Sequence, residues 1–130
     1  AHLGLKPQSV HKIGGFKVQG REPDKARQML ESAKRLQDAG ADIVLLECVP
    51  NELAEMVTKA LEVPVIGIGA GPHVDGQILV LYDILDITQG RTPRFVKNFQ
   101  EGCDSPLKAL QSYVRAVKEE TYPEPQHCFS

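Results

Sequence analysis

Apolar positions in this chain fall into two regimes, short unbroken runs and longer stretches with helical spacing. The run Ile43-Val44-Leu45-Leu46 is apolar throughout, includes two β-branched residues, and is followed at once by Glu47 and then by Pro50, which ends it. It reads as a strand buried on both faces with one carboxylate at its C-terminal end. In parallel α/β architectures that edge is where ligands bind, so Glu47 is either placed for chemistry or simply opens a loop. On either side of this run the periodicity changes to that of a helix. Ala26, Met29, Leu30, Ala33 and Leu36 mark one face of a helix over Asp24 to Ala39, with Gly40 at the C-terminal cap position. Leu53, Met56, Val57, Ala60 and Leu61 mark a second helix over Asn51 to Glu62.

A second buried strand follows at Pro64 to Gly71, closing in glycines, so strand, helix and strand predict a βαβ unit and a parallel sheet. The glycines Gly67, Gly69 and Gly71 invite a dinucleotide-binding reading, but the third glycine of that fingerprint would fall on Pro72. Close backbone approach to a ligand or a neighbouring strand is the plainer use for them. Asp75-Gly76 predicts a turn, Ile78 to Tyr82 a further strand, and Asp83 an acid near its end, serving either as a helix cap or in a site. Leu107, Leu110, Val114 and Val117 predict a last helix over Pro106 to Glu120. The tail, residues 121–130, has no periodicity and two prolines, and is expected to be extended over the surface or disordered. The segment Lys6 to Pro23, with Gly14, Gly15, Gly20, Lys12, Lys17 and Arg21, is a long loop of the kind that binds ligands, a solvated connection being the alternative. Counting a strand that ends near Ala1, there are four β/α units, which suit half of an eight-fold barrel or a small open sheet.

Composition narrows the function classes. The chain has 130 residues, enough for one domain, and its 15 basic and 17 acidic side chains leave a net charge of −2. Without a basic run and with 5% aromatic residues, nothing points to a nucleic-acid partner. The apolar runs are too short to span a bilayer, and a cytoplasmic location is expected. Cys48, Cys103 and Cys128 form no CxxC pair and are odd in number, which argues against a disulfide framework or a cysteine zinc site. Cys48 adjoins Glu47 and so, by strand alternation, is expected to face the helices rather than the site. The opening Ala1-His2-Leu3-Gly4-Leu5 lacks an initiator Met, and a fragment is expected.

Several motifs, in order, resemble ketopantoate hydroxymethyltransferase: His2-Leu3-Gly4-Leu5-Lys6-Pro7-Gln8-Ser9, Gly14-Gly15-Phe16-Lys17-Val18-Gln19-Gly20, Leu46-Glu47-Cys48-Val49-Pro50 and Pro64 to Gly71. The likeness continues through Asp75 to Val80 and Pro93 to Phe99 and weakens after Gln100. It implies a (β/α)8 barrel of the phosphoenolpyruvate/pyruvate-binding type, of which residues 1–130 would be the C-terminal half. It also implies transfer of a hydroxymethyl group from 5,10-methylenetetrahydrofolate to 3-methyl-2-oxobutanoate, giving 2-dehydropantoate for pantothenate and coenzyme A. Mg²⁺ dependence and a homo-oligomer, a decamer, are implied as well.

By motif position, Glu47 matches the family's proton acceptor and His2 a histidine that contacts the oxo acid. The family's metal-ligating acids fall outside this sequence, so no residue here is assigned to metal. His11, His73 and His127 match no catalytic position, and surface or structural roles are expected for them. With half the site absent, the chain alone is expected to be inactive. The alternatives are a carbon–carbon lyase of the same superfamily and a non-catalytic half-barrel that pairs its edges with a partner.

Overall fold

The computed structural model describes residues 1–9, 15 and 17–130. Its frame is a four-stranded parallel sheet in the order β1-β2-β3-β4, made of His2–Gly4, Val44–Glu47, Val65–Ile68 and Gly76–Gln77. Helix α1 (Pro23–Asp38) links β1 to β2, and α2 (Asn51–Ala60) links β2 to β3. The expected helix stop is present: Gly40 has φ +96° and its N–H donates to the Gln37 carbonyl at 2.8 Å.

Strand alternation sorts side chains onto two unlike faces. Leu3, Val44, Leu46 and Val65 share one face and pack with Ala33 of α1 and Leu53, Ala54 and Val57 of α2. This is the main core, and Val44, Leu46, Val57 and Val65 are fully buried in it. The register puts His2, Leu45, Glu47, Ile66 and Ile68 on the opposite face, where Leu45 and Ile66 are only partly buried. The expectation of equal burial on both sides of β2 therefore holds for the helix side and weakens on the other.

The predicted strand over Ile78 to Tyr82 is corrected. The ladder forms earlier, at Gly76–Gln77 opposite Ile66 and Gly67, and gains one further bond from the Ile78 N–H to the Gly67 carbonyl at 2.9 Å. Gly76 belongs in the ladder because it lies against Ile66, whose Cδ1 would stand 3.0 Å from any Cβ there. The chain then turns into α3 (Leu81–Ile84), the N–H groups of Asp83 and Ile84 both donating to the Val80 carbonyl. Ile78, Val80, Leu81 and Tyr82 are left exposed, so the apolar run there does not mark a buried strand.

Helix α4 (Pro106–Lys118) begins at Ser105, whose hydroxyl accepts from the Lys108 N–H. Its Ala109 joins Ile84, Phe99 and Tyr122 in a separate small core. The tail is held down along its length. The Tyr122 hydroxyl donates to the Phe95 carbonyl, Lys97 pairs with Glu124 at 2.6 Å, and Arg94 Nε donates to the Gln126 carbonyl. A 3-10 turn at Pro125–His127 follows, and the Phe129 carbonyl accepts from the Asn51 N–H at 3.0 Å. His127 is 8% exposed, and its Nδ1 accepts from the Glu124 N–H, a structural use of the ring. His73 is exposed, while His11, Lys12 and Gly14 lie outside the described residues. No helix among the described residues is long and apolar enough to cross a membrane.

Candidate functional site

β1 and β2 end side by side, with Gly4 the register partner of Glu47. The carbonyl of Glu47 accepts from the Leu5 N–H at 2.8 Å, and the next residue donates its N–H to the Ile68 carbonyl at 2.9 Å. Glu47 is thus fixed by a neighbour strand on each side. Only glycine fits at position 4, because φ there is +87° and an added Cβ would lie 2.1 Å from the Glu47 carbonyl oxygen.

This register brings together the two residues singled out from sequence. His2 Nε2 stands 3.1 Å from Glu47 Oε2, with the side chains 30% and 14% exposed. The atoms are close, but among the described residues Nε2 has no hydrogen-bond partner of good geometry although it is itself buried. Burial pushes the Glu47 carboxyl above the ordinary carboxylate range, against the opposing pull of His2. A carboxylate held this way takes up a proton more readily than an exposed one, as a general base working near neutrality must.

Sequence reasoning missed a second unsatisfied polar atom, at the start of α2. Oδ1 of Asn51, at the start of α2 and four positions after Glu47, is another buried polar atom without a partner among the described residues. A Cβ on Gly71 would come within 2.2 Å of it, so the glycine makes room for this amide. Buried polar atoms are nearly always satisfied, so each of these two is a candidate ligand contact. The only signals in the sequence were the Pro50-Asn51 helix start and the glycines after β3.

Cys48 departs from the expectation that it faces the helices. Its φ of +50° breaks strand alternation, and it packs with Leu5, Ile68 and Phe95 on the Glu47 side of the sheet. Burial, and then the charge of Glu47, push its thiol up to about 12, so it stays protonated and is no nucleophile. Asp83 is 8% exposed inside α3 and accepts from the Thr88 hydroxyl, a structural acid in the second core.

For a resident metal, the donor set is insufficient. Mg²⁺ takes about six oxygen ligands, while His2 offers nitrogen and, among the described residues, Glu47 is the one carboxylate in contact with it. No group of three His, Cys, Asp or Glu among the described residues is arranged to hold an ion.

Comparison with known proteins adds the family. Residues 1–125 match the family model described as ketopantoate hydroxymethyltransferase. The chain is 57% identical over 129 residues to the 3-methyl-2-oxobutanoate hydroxymethyltransferase of Chromohalobacter salexigens, covering 99% of this chain and 49% of that protein. It is 59% identical over 129 residues to the protein of that name from Alkalilimnicola ehrlichii, covering 99% of this chain and 47% of the relative. For 3-methyl-2-oxobutanoate hydroxymethyltransferase 2 of Hahella chejuensis the figures are 55% over 130 residues, 100% and 49%. The chain spans about half the length of the curated relatives it matches.

Proposed function

The chain belongs to the ketopantoate hydroxymethyltransferase family, and we propose that it supplies the proton-accepting part of an enzyme that hydroxymethylates 3-methyl-2-oxobutanoate. The observation that carries this reading is Glu47, a desolvated carboxylate with a raised pKa, 3.1 Å from an unpartnered imidazole nitrogen. Glu47 takes the proton from C3 of the oxo acid, breaking the C–H bond and leaving an enolate. C3 of the enolate then forms a bond to the methylene carbon of 5,10-methylenetetrahydrofolate as one of that carbon's two C–N bonds breaks; water supplies the hydroxyl as the second C–N bond breaks, the two folate nitrogens take up the proton removed from C3 and one from water, and the products are 2-dehydropantoate and tetrahydrofolate. His2 contacts the oxo acid through Nε2 and so turns the reacting carbon toward Glu47.

Mg²⁺, when bound, would stabilise negative charge on the oxo acid. The residues described here do not hold it, and its ligands are assigned to the part of the protein corresponding to the uncovered half of the relatives. The C-terminal half of a (β/α)8 barrel is the proposed architecture for residues 1–130. Consecutive parallel strand order with α1 and α2 packed on the same face supports it, because doubly wound sheets reverse their order and carry helices on both faces. A cytoplasmic homo-oligomer, a decamer, is proposed with it. The test is product formation: the complete protein should make 2-dehydropantoate from the two substrates, and residues 1–130 alone should not. No product from the complete protein would remove the assignment, and turnover by the 130-residue chain would overturn the division of the site.

A further inference from the structure

Glu47 is bracketed by residues that belong to, or pack on, one apolar cluster. Its register partner on β3 is Ile68, its chain neighbour is Cys48, Leu45 lies two positions before it on the same face, and the Leu5 N–H donates to its carbonyl. Leu5, Cys48 and Ile68 are buried together with Phe95. Phe129 of the tail packs onto this group, its ring set edge-on to Phe95 with 6.4 Å between centroids. We propose that Phe129 is a positioning residue for the proton transfer: acting through this cluster, it holds the end of β2 so that Glu47 faces the oxo acid. The role given to Glu47 rests on the proposed function.

The main chain of the tail supports this placement independently of the ring. The Phe129 carbonyl accepts from the N–H of Asn51, the first residue of α2, at 3.0 Å, and the main-chain oxygen of Ser130 accepts from Arg21 Nε at 3.0 Å. Asn51 follows β2 and Arg21 follows β1, so residues 129 and 130 tie together the chain leaving the two strands that carry Glu47 and His2. The ring is also held from outside. The Arg94 guanidinium stands 5.8 Å from its centroid, within the roughly 6 Å reach of a cation–π contact, and Arg94 Nε donates to the Gln126 carbonyl at 2.8 Å. Cys48 is where such support is needed, because its φ of +50° is left-handed backbone that a residue with a side chain adopts at a cost. It persists there only where the surroundings over-determine it. The packing of Leu5, Phe95 and Phe129 supplies that constraint one residue from Glu47.

The test is steady-state kinetics of the complete protein. Phe129→Ala should lower kcat by about tenfold, part of the roughly 10²-fold that a 1 Å misplacement costs. The KM for 3-methyl-2-oxobutanoate should change little, because His2 is not part of the cluster. Phe129→Leu, which keeps an apolar side chain in the gap, should return kcat to within about threefold of wild type. Arg21→Ala, at an exposed position, cuts the Ser130 tie alone and should lower kcat in the same direction; it serves if Phe129→Ala does not fold. Asp83→Ala, destabilised but outside the cluster, should keep its kcat, which separates positioning from a general loss of stability. A wild-type kcat in folded Phe129→Ala or in Arg21→Ala, a loss that Phe129→Leu does not recover, or a raised KM at unchanged kcat would overturn the proposal. A failure of the transferase reading is distinct, since it shows as no product from the wild-type protein.

Discussion

Two acids in this chain follow apolar runs, Glu47 at the end of β2 and Asp83 after β4, and the fold treats them in opposite ways. Glu47 lies on the face without helices, with its carboxyl pushed upward by burial and an unsatisfied nitrogen of His2 3.1 Å away. Asp83 is the more deeply buried, yet its Oδ1 receives the Thr88 hydroxyl and it packs beside Ile84 in the second core. A buried acid that receives a hydroxyl is a structural part, whereas an acid beside an unsatisfied histidine nitrogen is available for a ligand. Burial alone therefore does not distinguish the two; satisfaction does.

The largest effect expected from this contrast is on turnover. Glu47→Gln keeps the shape and removes the proposed base, and should lower kcat by roughly 10²–10⁴-fold in steady-state assays of the complete protein. Gly4→Ala probes the backbone that fixes Glu47, since its Cβ would meet the Glu47 carbonyl oxygen at 2.1 Å. The shifted strand end should reduce kcat by up to about 10²-fold and lower the melting temperature. Asp83→Ala should do the reverse in kind: it should cost about 1–3 kcal/mol in denaturant unfolding, as expected when a buried hydrogen bond is lost, with kcat for the folded protein little changed. A kcat loss matching that of Glu47→Gln would break the comparison.

The smallest expected effect concerns pH and the tail. Burial holds the His127 imidazole below its ordinary range, and its Nδ1 must stay unprotonated to accept from the Glu124 N–H. A group whose pKa is depressed on folding contributes stability that is complete above its unfolded value, near 6.5, and is lost as pH falls through the folded value. Thermal unfolding between pH 8 and pH 5 should show that loss, and His127→Asn, whose Oδ1 can still accept the bond, should flatten it. Glu47 contributes with the opposite sign. Its raised pKa means that ionisation costs stability as pH rises, so Glu47→Gln should unfold at a higher temperature than wild type at neutral pH.

The same contrast explains what was legible from sequence. The helices α1, α2 and α4 follow directly from apolar spacing, and β2 and β3 from unbroken runs, because each buries one face in a core made by its neighbours. The run after Gly76 misled for a physical reason. Ile78, Val80 and Leu81 carry strand-like composition but stay exposed, so composition was no guide to burial there. For the candidate site, Glu47 stood out as a lone acid at a strand end, and the family motif pointed to His2. Their 3.1 Å approach depends on a parallel register that pairs Gly4 with Glu47, a long-range property that neither local run contains. Cys48 was misread because its left-handed backbone suspends the alternation rule at that one residue. Asn51 was missed because an unsatisfied atom is visible only once its neighbours are in place.

The central claim, that Glu47 removes the proton from C3 of the oxo acid, is tested most directly by isotope exchange. The complete protein, incubated in D₂O with 3-methyl-2-oxobutanoate and no one-carbon donor, should place deuterium at C3, as read by proton NMR, and Glu47→Gln should slow that exchange by roughly the 10²–10⁴-fold expected for loss of a general base. Equal exchange rates for the two proteins would contradict the claim.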